Sequence, residues 1–159
     1  MENFTLARVI HVIAVILWIG GVSMVTTVLI PAIKRMKSKE EQIKTFETIE
    51  GKFALQAKVT TLLTGLSGFY MLYELNAWNR YLDYRFWWIH AMTLVWIIFT
   101  LVLFVLEPFI LHRVFKKYVN NNPEKTFGIM HKLHWVLLII SLITTAGAVA
   151  GSHGWFWLK

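Results

Sequence analysis

Six histidines, His11, His90, His112, His131, His134 and His153, lie in a chain of 159 residues that has no cysteine. Imidazole serves as a metal ligand and as a proton carrier near neutral pH. Without thiolates, disulfides and Fe–S clusters are excluded, and soft donors reduce to His and Met. His11 opens the run Arg8-Val-Ile-His11-Val-Ile-Ala-Val-Ile-Leu-Trp18-Ile-Gly20-Gly21, and no fixed charge occurs from Val9 to Ile33. An ionisable group inside such a run is costly without a partner, so it marks a candidate site.

His11 lies three residues beyond Arg8, and His90 five beyond Arg85. At about 1.5 Å per helical residue, both sit roughly 5–8 Å inside the charged flank. Two imidazoles at matched depth on different helices are the usual means of holding a b-type haem in a bundle. A haem also wants small residues against its face, aromatic neighbours and cations for its propionates. Gly20, Gly21, Gly65, Gly68, Gly147 and Gly151 offer the first, Trp87 and Trp88 the second, and Arg8, Arg80 and Arg85 the third. His153, flanked by glycine, adds a third imidazole; with His11 and His90 it makes a set equally suited to copper or zinc. The bland alternative is that each histidine hydrogen-bonds a neighbouring helix. On the other side, His134 enters the last apolar stretch at the level of Glu107. That pairing suggests a proton path or a locked kink, and His112 with His134 is a candidate for a second haem.

The elements that must position these groups are membrane helices. The chain is 57% hydrophobic and only 16% charged, against roughly 25% charged in soluble domains. The expected architecture is an all-α, single-domain integral membrane protein of four spanning helices, near residues 4–33, 53–73, 86–112 and 123–152. A helix needs about 20 apolar residues to cross a bilayer. Ser38 and Glu41 have capping-box spacing. With Ile43, Phe46, Ile49 and Phe53 at helical intervals, they predict an amphipathic surface helix before the second span. The second span is rich in small residues, among them Thr60, Thr61, Thr64, Gly65, Ser67 and Gly68, and Lys58 is expected to snorkel from it. Pro108 should kink the third helix. Asn122-Pro123 is a helix start.

Of the 16 Lys and Arg residues, 12 fall on the side of the two polar loops, the exceptions being Arg8, Arg80, Arg85 and Lys159. The positive-inside rule then places the chain in a cell inner membrane with both termini on the periplasmic side. Trp78, Trp87, Trp88, Trp155 and Trp157 form an outer aromatic belt. The net charge of +7 thus reads as a topology signal, with lipid as the partner and no nucleic acid. The first helix reads as retained, because its apolar run exceeds the roughly 7–15 residues of a signal-peptide core. No triad, phosphate loop or carboxylate pair suggests hydrolysis or phosphoryl transfer.

The opening His11-x6-Trp18-x-Gly20-Gly21, ending in Pro31-Ala-Ile-Lys-Arg35, resembles the first helix of the CopD-like membrane proteins. Together with Phe46, Ile49-Glu50, Phe53, Gly65 and Trp88-Ile-His90-Ala91, it is similar to the HemJ-type protoporphyrinogen oxidases over roughly residues 5–112. The HemJ resemblance implies a haem-b-binding four-helix protein with His11 as ligand and His90 at the matching third-helix position. The CopD resemblance implies copper handling. The chain departs from the HemJ pattern with Met92 where a lysine is usual, and it lacks the basic residue and second histidine after the first helix and an Arg-x-Asn-Glu near its end. The expectation is therefore redox work through haem b: electron exchange with a quinone or a periplasmic partner, or a haem-linked oxidation. Copper transport or binding by His11, His90 and His153 is the alternative, and a homodimer or a larger complex is an open expectation.

Overall fold

The computed structural model describes residues 2–111, 118–119 and 122–155, and among these every regular element is helical. Helix α1 runs Glu2–Lys34, with a π turn at Val25–Leu29. Helix α2 is Lys39–Glu74. Two 3₁₀ turns, Ala77–Leu82 and Tyr84–Phe86, lead into α3, which is α-helical over Trp87–Leu101 and π-helical over Val102–Leu111. Helix α4 is Pro123–Ser152. Each helix packs on the next, and α4 packs back on α1.

Local chemistry explains the boundaries. The Ser38 hydroxyl accepts from the Glu41 amide at 3.3 Å, and the Asn122 side chain accepts from the Lys125 amide at 3.1 Å. Both caps satisfy amides that a helix start leaves unpaired. Pro108 lies inside the π segment of α3; a missing N–H and a ring clash disrupt α geometry, and a local π register is one way of absorbing them.

The surface helix expected before residue 53 is not a separate element. Residues 39–74 form one helix of 36 residues. Ile43, Ile49 and Phe53 pack on a cluster of Val25, Leu29, Ile30, Ile33, Phe46, Val119 and Phe127. Their apolar face is therefore spent on α1 and α4 instead of on lipid, and nothing breaks the helix at Gly51, whose surroundings are open. A second cluster joins Trp18, Val22, Val95, Phe99 and Leu138, with the Trp18 and Phe99 rings edge to face at 4.8 Å.

The outer surfaces are apolar. Leu6, Ile16 and Leu66 are 60%, 63% and 69% exposed, a pattern that a water-soluble monomer avoids. Among the described residues three helices, Glu2–Lys34, Tyr84–Phe109 and Pro123–Ser152, are long and apolar enough to cross a membrane. Helix α2 is less apolar, and the hydroxyls of Thr60, Thr64 and Ser67 donate to carbonyls one turn back in the same helix, while the buried Thr61 hydroxyl has no hydrogen-bond partner among the described residues. The in-helix bonding of the first three is what a bilayer demands of hydroxyls.

Candidate functional site

The buried stripe of α1 is Ala7, Ala14, Trp18 and Val22, and the half-buried His11 falls on the same helical face. His11 faces α2. Its Nδ1 lies 2.9 Å from the Thr64 carbonyl oxygen and 3.1 Å from the Ser67 hydroxyl. Ser67 already donates to carbonyls of its own helix, Leu63 and Thr64. The imidazole must therefore be the donor, so the proton belongs on Nδ1 and the lone pair on Nε2. No described residue hydrogen-bonds Nε2. Anchoring one ring nitrogen on a backbone carbonyl is how proteins orient a metal-binding imidazole. Gly68 makes room for the ring: a Cβ there would lie 3.2 Å from His11 Cε1.

His90 does not face His11. It is exposed and shares the outward stripe of α3 with Leu94, Ile97 and Leu101. Its ring meets the edge of Tyr81 at 5.2 Å, while the Tyr81 hydroxyl and that of Thr93 are 2.7 Å apart. Tyr81 is the donor in that pair, because Thr93 spends its proton on the Ile89 carbonyl. The rotation of α3 has a steric cause. Trp88, Val95 and Phe99 take the interior, and the three indoles of this helix fill the glycine clefts of its neighbours. A Cβ at Gly65 would come within 2.5 Å of Trp96, at Gly147 within 2.4 Å of Trp87, and at Gly151 within 2.4 Å of Trp88. Gly21 is closed in the same way by Phe53, at 2.1 Å. Of the six glycines expected to admit a macrocycle, Gly21, Gly65, Gly147 and Gly151 thus hold the chain's own aromatic rings, Gly68 faces His11, and Gly20 is open.

The remaining candidates separate. Arg85 is tied to Asp83, Nη2 to Oδ2 at 2.6 Å, and this partner holds the Asp83 carboxyl below the usual carboxylate range. Arg80 lies over the Phe86 ring at 5.1 Å, and Arg8 is exposed. His153 is exposed and bonds the Val149 carbonyl of its own helix at 2.8 Å. His134 does the same with Met130 at 2.9 Å. Among the described residues no group of three or more His, Asp or Glu is placed to hold a metal ion, so His11, His90 and His153 are not brought together. Glu107 pairs with Lys58, not His134: the two charges meet at 2.6 Å, and Lys58 does not snorkel away. An ammonium in reach of a carboxylate at the edge of lipid gains more from pairing than from extension. His112 and Trp157 lie outside the described residues.

One groove adjoins the His11 site. It encloses about 530 Å³ between α1 and α2, lined by Asn3, Leu6, Ala7, Ile10, Leu63, Leu66, Ser67 and Tyr70. Ser67 is common to the groove and to the His11 hydrogen bond. Thr64 and Ser67 as anchors of His11 escape a reading of the sequence, where they register only as small residues. The spacing of Thr60, Thr64 and Ser67 on one face of α2 is the signal that was present.

These features leave His11 as a candidate ligand by itself and do not make a pair of His11 and His90. His11 has an anchored ring, a ring nitrogen that no described residue hydrogen-bonds, and an apolar groove nearby, so its chemistry is that of a side chain that could hold haem iron. A cage closed by His90 does not fit, because that side chain points away from the bundle. The chain matches no known family model, no curated protein and no solved structure.

Proposed function

We propose that this chain is a four-span integral membrane protein of the inner membrane that carries b-type haem near its periplasmic end, with His11 as the residue that would hold it. In this reading α2 is the fourth span, crossing over about residues 53–73, and both termini are periplasmic, following the 12-of-16 bias of Lys and Arg. The observation that carries it is the His11 hydrogen bond to the Thr64 carbonyl, which leaves Nε2 as the only free donor atom of the ring. Bound haem would supply one-electron chemistry, and His11 would orient the iron while α2 holds the imidazole in one tautomer. The biological role is electron transfer, or oxidation coupled to it, with quinone or a periplasmic protein as the exchange partner.

The test is an absorption spectrum of the purified protein, oxidised and reduced, for wild type, His11→Ala and His90→Ala. The reading expects a Soret band that His11→Ala abolishes and His90→Ala retains. A band that survives His11→Ala overturns it. Copper in stoichiometric amount, with no Soret band, overturns it in favour of copper binding.

A further inference from the structure

The π turn at Val25–Leu29 has a cause that reaches across to α4. Within it the Ile30 amide bonds the Val25 carbonyl, five residues back. The next bond in that register would run from residue 31 to the Thr26 carbonyl, but residue 31 is proline and has no N–H. Thr26 is fully buried, and its carbonyl receives a donor from outside the helix: His131 Nε2, at 2.9 Å.

An ordinary α register would move the vacancy by one residue. The Ile30 amide would then serve Thr26, and Pro31 would strand the carbonyl of Thr27. Thr27 is exposed on the lipid side, where no donor exists for a stranded carbonyl. The π register turns the unpaired carbonyl inward, toward the one side chain that can satisfy it.

His131 has a competing neighbour. The Trp135 indole nitrogen lies 3.1 Å from the same Nε2, and one ring nitrogen cannot both donate to Thr26 and accept from Trp135. The carbonyl of the fully buried Thr26 can only accept, so the 2.9 Å contact satisfies it only when Nε2 carries the proton, and the indole of the 41% exposed Trp135 gives way. The proton therefore sits on Nε2.

We infer that His131 is a positioning residue that locks α1 in its π register, and so sets the rotational phase of the outer half of that helix, which carries His11. Loss of the lock shifts the helix by about one residue, roughly 100° of rotation. Its bearing on ligand binding rests on the reading of His11 above; the lock itself does not.

The full chain in detergent micelles provides the test, with no haem signal read. The first experiment is a cycle of His131→Ala and Pro31→Ala, followed by thermal unfolding. Pro31→Ala restores the missing N–H, so the His131→Ala loss of midpoint seen in the native background shrinks to less than half in the Pro31→Ala background. Equal losses in both backgrounds make His131 ordinary packing and overturn the inference. The second uses the unaltered protein, so it stands even where a variant fails to fold. The ¹⁵N spectrum of labelled histidine shows His131 protonated on Nε2 when neutral; a neutral ring protonated only on Nδ1 overturns the lock.

Discussion

Gly65→Ala tests the packing that turns His90 outward. A Cβ at residue 65 would lie 2.5 Å from Trp96 Cε2 and Nε1 and 2.7 Å from Cζ2. Ordinary van der Waals contact begins near 3.5 Å between carbons, so the indole must retreat by about 1 Å. The indole also donates to the Thr61 carbonyl at 2.9 Å, and a retreat of that size breaks the bond. Overpacking costs about 1–3 kcal/mol, and loss of the hydrogen bond adds about 1 kcal/mol. Replacing a helical glycine returns about 0.8–1 kcal/mol. The balance is a destabilisation of about 1–3 kcal/mol. Gly20→Ala is the internal control, because a Cβ at residue 20 meets nothing within 4 Å; it should be neutral or stabilise by up to about 1 kcal/mol. The assay is denaturant unfolding in micelles, followed by far-UV circular dichroism and by tryptophan fluorescence. Gly65→Ala unfolding at the same midpoint as Gly20→Ala would refute the claim that indoles fill the glycine clefts. A Gly65→Ala, Trp96→Phe double variant should recover part of the loss, since the smaller ring vacates the contested space.

Three further outcomes follow from the end of the bundle that holds Lys58 and Glu107 and from the loop that holds Asp83. Lys58→Met leaves Glu107 without its partner; with side chains 29% and 27% exposed, the loss should be roughly 1–3 kcal/mol, below that of a fully buried pair, and Lys58→Met with Glu107→Leu should recover most of it in the same unfolding assay. Glu50, in the N-terminal half of α2, has its carboxyl pushed above the ordinary 4.5, first by burial and then by Glu107, with Lys58 opposing. The native state then keeps a proton that the unfolded chain has released, so stability is full below 4.5 and declines as pH rises through the raised value. Melting curves across that range should show the decline in wild type and a flatter profile in Glu50→Gln. Asp83→Asn removes the carboxylate that holds Arg85; both groups are exposed, so the midpoint should move little, and a large loss would assign the pair a structural role it lacks here.

The helical architecture was legible because apolar length and capping residues act locally. Ser38 and Asn122 begin helices for reasons contained in four residues of sequence. The fusion of the 39–53 segment with α2 was not legible, since its amphipathic face suits a lipid surface and a helical neighbour equally well. Only the cluster around Ile30, Ile33 and Phe127 decides between them. The histidines divide in the same way. Depth can be counted along the chain, so the spacing puts His11 and His90 at similar distances from Arg8 and Arg85. Facing could not be counted, because the rotation of α3 is set by where three indoles find glycine. Pro31 and His131 illustrate the limit well. They are 100 positions apart, and their connection exists only through a carbonyl at Thr26 that belongs to neither.

The most direct measurement of the central claim is the reduced-minus-oxidised absorption spectrum of the purified protein beside His11→Ala, with iron and copper determined on the same samples. A Soret band with stoichiometric iron in wild type, absent from a His11→Ala protein that still inserts and folds, is the predicted result. A colourless wild type prepared with haem in excess, or a band unchanged by His11→Ala, would contradict it and leave His11 as a hydrogen-bonded link between α1 and α2.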